Sequence, residues 1–131
     1  MNYGNILLID DDEDDQEIFR TALEKVDRSI NCTSLNNAIE ALDKLRSNQI
    51  QPDLIFLDLN MPVMNGQQFL MQIKNDDALS YIPVVILSTS SHKASIELTR
   101  ELGAMEFYSK PDKFEDLIGI LKSVLNDTNG K

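Results

Sequence analysis

Hydrophobic residues along this chain follow two alternating patterns. Unbroken apolar runs occupy residues 6–9, 54–57 and 84–87. Runs this short, bounded by turn-forming residues, predict strands buried on both faces. Asp53 joins the second run in a strand over 53–57, and Pro83 introduces the third, where no ladder donor is needed. Weaker strands are predicted at 30–35, which holds Cys32 and Thr33, and at 105–108. Between the strands the spacing becomes helical. Over 13–26, Ile18, Phe19, Ala22, Leu23 and Val26 line one face. Ala38, Ile39, Leu42 and Leu45 do so in a second helix, with Asp43, Lys44 and Arg46 outward. A third helix starts at Gln67 with Phe69, Leu70 and Ile73 inward, and a fourth covers about 92–102. The fifth buries Phe114, Leu117, Ile118, Leu121, Val124 and Leu125.

Starts and stops agree with these spans. Asp12 or Asp14 can cap the first helix, Asn36 or Asn37 the second, and Asp112 the last. Residues 47–49 and 75–77 are breakers, and Gly103 occupies the place of a left-handed cap. Gly119 lies inside the last helix and weakens it by roughly 1 kcal/mol relative to Ala. Five strands alternating with five helices predict an α/β domain, a parallel sheet with helices on both faces. At this length the doubly wound order is 2-1-3-4-5, with the switch point between strands one and three. One domain is expected over 4–126, with a frayed tail over 127–131.

Composition narrows the class of partner. Hydrophobic residues make up 42% and charged residues 26% of 131, so the chain is globular. The net charge of −10 disfavours nucleic acid and anionic membrane surfaces as direct partners. The acid is concentrated: residues 10–17 hold seven carboxylates in eight positions. The single Cys32 forms no internal disulfide and reads as a small apolar residue. The first residues carry no basic start of a signal peptide, and no apolar stretch approaches the roughly 20 residues of a membrane span. A soluble cytoplasmic protein is expected.

The chemistry gathers at the carboxyl ends of the strands. Strand one ends in Asp10, Asp11 and Asp12, strand three in Asp58, strand four in Ser88 and Thr89, strand five in Lys110 and Pro111. In a parallel sheet these ends point the same way, so the groups can converge. Alone, Asp58 would read as a turn residue. Several carboxylates in one cleft repel one another and call for a cation or protons. Oxygen-only ligands suit a hard ion, and magnesium binds through one or two carboxylates while keeping positions open for a phosphoryl group. A carboxylate beside it can attack phosphorus, with Lys110 and a hydroxyl holding the phosphoryl oxygens.

The motifs that carry this chemistry are Leu7, Leu8, Ile9, Asp10, Asp11 and Asp12; Pro52 and Asp53 through Asp58, Asn60, Met61 and Pro62; Gly66; Ile82 and Pro83 through Ser88 and Thr89; and Ser109, Lys110 and Pro111. In this order and spacing, across essentially the whole chain, the sequence resembles the receiver domain of two-component response regulators, a flavodoxin-like receiver fold. The resemblance implies that Asp58 is the phosphoacceptor and that Asp11 and Asp58 bind magnesium directly, with Asp10 acting through water. The Asn60 backbone carbonyl would be a further ligand, and manganese a possible substitute ion. It implies that Lys110 pairs with the phosphoryl group, that Ser88 is the switch hydroxyl with Thr89 its rival, and that Phe107 rather than Tyr108 is the switch aromatic. It also leaves a cis bond between Lys110 and Pro111 open, and places Asn60 and Ser90 where the family tunes phosphoryl lifetime. A histidine kinase or phosphotransfer protein would be the donor. The output would be protein contact through the fourth helix, fifth strand and fifth helix, with a homodimer through that face as one form. The chain ends soon after the fifth helix, so the expectation is a stand-alone, chemotaxis-regulator-like receiver or a piece of a longer protein. The only catalysis expected is its own phosphorylation and dephosphorylation.

Plainer readings stand beside these. Asp10 and Asp11 could be helix-start acids, Lys110 a solvated lysine, Ser88 turn chemistry and Phe107 ordinary core. His92 reads as a surface residue opening the fourth helix, and Met61, Met64 and Met71 as core and loop filler. Two other classes use similar parts. A haloacid-dehalogenase-like phosphatase needs an acid two residues after the nucleophile, where this chain has Asn60. A flavodoxin-like cofactor binder wants a Gly/Ser/Thr-rich loop after strand one, where this chain has acid.

Overall fold

The computed structural model describes residues 3–89 and 92–127. Strands and helices alternate: β1 (Asn5–Ile9), α1 (Glu13–Val26), β2 (Asn31–Leu35), α2 (Ala38–Arg46), β3 (Leu54–Leu57), α3 (Gly66–Lys74), β4 (Val84–Ser88), α4 (Lys93–Glu101), β5 (Glu106–Ser109) and α5 (Phe114–Asp127). All strand pairs are parallel, in the order β2-β1-β3-β4-β5. The doubly wound sheet expected from the sequence is therefore the observed one. Of the expected tail, Asp127 closes α5 and residues 128–131 lie outside the described residues. Among the described residues, no helix is long and apolar enough to cross a membrane.

Alternation along the strands builds two cores. Leu7, Ile9, Ile55, Leu57, Val84 and Ile86 face α2 and α3, whose Leu42, Leu45, Phe69, Leu70 and Ile73 complete that layer. Ile6, Leu8, Leu54, Phe56, Val85 and Leu87 face α1 and α5. On that side the Phe19 and Phe56 rings meet edge to face, with centroids 4.9 Å apart. Two residues expected inside are half outside: Ile18 is 47% and Ile39 40% exposed. The reason is angular. Phe19, Ala22 and Leu23 form the centre of the α1 stripe, and Ala38, Ala41, Leu42 and Leu45 that of α2, leaving both isoleucines on the flanks.

The caps are resolved by geometry. The Asp12 carboxylate accepts from the backbone N–H groups of Asp14 at 2.9 Å and Asp15 at 3.1 Å, and Asn37 accepts from Glu40 at 2.9 Å. Asn65 and Gln68 form a reciprocal capping box at the start of α3. α5 begins later than an Asp112 cap would place it: the Lys113 carbonyl takes the first bond, from Leu117. Gly103 has φ of +106°, closing α4 where a side chain would be strained. The Lys74 stem covers that glycine, and its ammonium donates to the carbonyls of Ser80 and Ile82, both at 3.1 Å. Burial pulls the Lys74 pKa below the usual lysine value.

The loop between β3 and α3 is tightly determined. Leu59 and Met61 are buried, and the Gly66 N–H bonds the Leu59 carbonyl at 3.0 Å. Val63, inside this loop, has φ of 69°. A β-branched residue in that left-handed region costs about 1–2 kcal/mol. No cis peptide occurs among the described residues, so the bond between Lys110 and Pro111, for which the resemblance left a cis form open, is trans. The trans form of such a bond is the favoured one by about 0.5–1 kcal/mol.

Gly66 has no room for a side chain: a Cβ would run into the Asp58 carbonyl and lie 2.7 Å from Leu59 Cα. Gly119 has nothing within 4 Å of its own Cβ position. Gly66→Ala is therefore expected to lose about 1–3 kcal/mol of stability. Gly119→Ala should gain up to about 1 kcal/mol by its helix propensity. Urea midpoints of the two variants decide the matter, since shifts of the same sign would contradict the packing described for the loop.

Candidate functional site

The sheet itself brings two acids together. Ile9 of β1 lies opposite Leu57 of β3, so the next residues, Asp10 and Asp58, are neighbours at the carboxyl edge. Backbone bonds continue past the strands to hold both: Asp58 N–H to the Ile9 carbonyl and Asp10 N–H to the Leu35 carbonyl, each 3.0 Å. Asp10 and Asp58 are buried and Asp11 is exposed, and one oxygen from each of the three falls within 4.8 Å of the others. The Asp10 carboxylate also accepts from the Asp12 N–H at 2.9 Å, and the buried Gln16 amide donates to the Asp10 carbonyl at 2.6 Å.

Lys110, at the end of β5, is the cation of this cluster. Its ammonium lies 2.8 Å from Asp10, 2.8 Å from Asp15 and 3.5 Å from Asp58. Its backbone N–H bonds the Ser88 carbonyl at 2.8 Å, which fixes the turn from β5 against the end of β4. Burial alone would lower the lysine pKa. The hydrogen bonds to Asp10 and Asp15 and the charges of Asp10 and Asp58 outweigh it, so the group is held above the usual lysine range and stays charged. Asp10 goes the other way from most ion-paired acids. Its burial raises the pKa more than the Lys110 bond, the Asp12 N–H and the Lys110 charge lower it, and the Asp58 charge adds to the rise.

The hydroxyls arrive through Asn60. Its backbone N–H donates to Asp58 at 3.2 Å, and its side-chain amide reaches Thr89 at 3.0 Å and Ser88 at 3.4 Å. Ser88 is fully buried and Thr89 exposed. Phe107 is set apart from the carboxylates. It is half-buried against the α2–α3 core and borders a cavity of about 80 Å³ with Ile96, Thr99 and Arg100. Phe107 pairs with Ile86, and Ser88 two residues on shares that face, whereas Tyr108 packs on the opposite core. His92 is exposed ahead of α4 and makes no side-chain cap. Ser90 lies outside the described residues.

Asp15 and Gln16 went unassigned in the sequence, although helical spacing marks them: Asp15 lies one turn before Phe19, on the inward stripe. Asp10, Asp15 and Asp58 lean on the Lys110 ammonium, and Asp11 adds a fourth carboxylate beside them. An all-oxygen donor set with uncompensated negative charge fits a hard divalent cation. Asp10, Asp11 and Asp58 are the residues placed to hold one.

Fold and site together describe an acidic pocket at a topological switch point, with one lysine and two hydroxyls around a buried aspartate. Residues 6–122 match the response regulator receiver domain, and the chain belongs to that family. It is 30% identical over 123 residues to the polar-differentiation response regulator DivK of Brucella anthropi, covering 94% of this chain and 97% of that protein. Among solved structures it resembles the phosphorylated cyanobacterial phytochrome response regulator RcpA, with a TM-score of 0.87, 30% identity and 96% of each chain covered. It also resembles the manganese-bound response regulator Rcp1, with a TM-score of 0.85, 27% identity and 94% and 92% covered. Receiver domains of this family serve two-component signalling, bind a divalent metal and interact with histidine kinases or phosphotransfer proteins.

The charge imbalance has a measurable consequence. Replacing Asp58 by Asn removes repulsion with Asp10 and Asp11 and loses one 3.5 Å attraction to Lys110. A full pair is worth about 4 kcal/mol at 4 Å and an effective dielectric of 20, but Asp11 is exposed and its share is screened by water, so the remaining balance should stabilise the variant by on the order of 1 kcal/mol. Denaturant unfolding in EDTA should show this gain, and millimolar magnesium should shrink it. A variant less stable than wild type in EDTA would contradict the repulsion.

Proposed function

We propose that this chain is a phosphorylation switch whose acceptor is Asp58. The observation that carries the reading is the placement of a 6% exposed Asp58 carboxylate between the Lys110 ammonium at 3.5 Å and the Asn60 N–H at 3.2 Å. The N–H holds Oδ1, and Oδ2 is the oxygen that lies near Lys110. An Asp58 oxygen attacks the phosphorus of a phosphohistidine on a histidine kinase or phosphotransfer protein. The O–P bond forms as the N–P bond breaks, and the imidazole leaves with the electron pair and takes up a proton. Lys110 is already charged and near enough to bind a phosphoryl oxygen, and the Ser88 hydroxyl, with Thr89 as rival, donates to another. Asp11 and Asp58 directly, Asp10 through water and the Asn60 carbonyl would hold magnesium, or manganese in its place. When bound, that ion neutralises the negative charge gathered at the acceptor.

The added phosphoryl charge draws Ser88 and Lys110 toward it. Ser88 and Phe107 lie on the same face of the sheet, so movement of the hydroxyl leaves space into which the ring can turn. The α4-β5-α5 surface then changes, and it is the face offered to a downstream protein target or to a second copy of the chain. Asn60 bears on the rival phosphatase reading. Its carboxamide is engaged with Ser88 and Thr89 and is no acid to protonate an alkoxide leaving group, so turnover of small phosphomonoesters should be slow. We place the activity in the cytoplasm, with proteins rather than nucleic acid or membrane as direct partners. The receiver unit is taken as residues 4–126.

Acetyl phosphate and magnesium should add one phosphoryl group to the wild-type chain, read by intact mass. Omission of magnesium should abolish the gain, and so should Asp58→Asn. Stoichiometric labelling of that variant would sink the assignment.

A further inference from the structure

Val63 stands out on the rim around Asp58. Its side chain is 86% exposed, and its φ of 69° lies where β-branched residues are rarely found. The loop imposes that backbone from both sides. Leu59 and Met61 are buried before it, Met64 packs against the core after it, and the capping box at Asn65 and Gln68 locks the exit. Glycine or asparagine would accept the conformation with less strain. Valine bears the strain while its isopropyl group gains almost no burial within the chain. Strain retained at such a position is a reason to look for a function.

Position supplies the function. Val63 sits five residues after Asp58, on the loop that leaves the carboxyl end of β3. The Asp58 carboxylate is only 6% exposed, so a protein that delivers a phosphoryl group to it must press against the surrounding loops. An apolar group projecting from one of those loops becomes covered in that encounter. Its neighbours Asn60 and Pro62 are exposed as well, so this stretch of the loop is open to a partner.

We propose that Val63 is a specificity-determining contact, packing against an apolar patch on the phosphohistidine-bearing partner and favouring that partner over others. The inference rests on Asp58 being the acceptor. A small phosphodonor reaches Asp58 without touching Val63, and this separates the two ideas experimentally.

The variants are Val63→Asn, which relieves the backbone and removes the apolar group, and Val63→Ile, which keeps it. The probes are acetyl phosphate and an autophosphorylated histidine kinase chosen because it labels the wild-type chain. Val63→Asn should react with acetyl phosphate within about twofold of wild type and unfold at a higher urea concentration. Its kcat/KM for transfer from the kinase should fall at least about tenfold, with the loss in KM, and Val63→Ile should retain transfer. Equal transfer from the kinase to wild type and Val63→Asn would overturn the proposal, as would a lower unfolding midpoint for Val63→Asn. Labelling of Asp58→Asn by acetyl phosphate would instead remove the acceptor assignment and the proposal with it.

Discussion

Three carboxylates lean on one ammonium at the edge of the sheet with a fourth beside them, and much of this structure exists to hold them there. Backbone ladders between β1, β2 and β3 fix Asp10 and Asp58 side by side. The α1 helix brings Asp15 to the same lysine and pins the Asp10 carbonyl with Gln16. The β4–β5 pair delivers Lys110 through a backbone bond to Ser88. Each device overcomes repulsion that would otherwise push the acids apart. The surplus negative charge is what makes the pocket receptive to a divalent cation, whereas it is burial above all, with the Asp58 charge adding to it, that raises the Asp10 pKa although the group touches a lysine.

The fold was legible because nearly every local signal agreed with it. The apolar runs are the central strands, and the α1 limits follow from an acidic cap and a stripe of core residues. What misled was the edge of each stripe. Ile18 and Ile39 have inward chemistry, but a helix turns them past the contact line, and the smaller Ala41 takes the buried place. Periodicity assigns a face and not the depth of a residue within it.

The site was legible in its principal atoms and not in its supports. Asp10, Asp11, Asp58 and Lys110 could be named because strand ends of a parallel sheet share an edge. Asp15 was lost in a run where seven acids look alike, and only its place one turn before Phe19 singles it out. The strain at Val63 was not readable at all, since a positive φ arises from the loop's anchored ends and not from the residue's own preference.

The bond between Lys110 and Asp10 spans 100 positions of sequence. During synthesis the acids of β1 and α1 emerge first, and their counter-charge is among the last groups to be made. A nascent chain stopped short of β5 would carry clustered carboxylates with no ammonium between them, together with the open edge of β4. Closing so long a loop is entropically unfavourable, though only logarithmically in its length. The acids of the pocket thus meet their ammonium only when the chain has been made through its fifth strand.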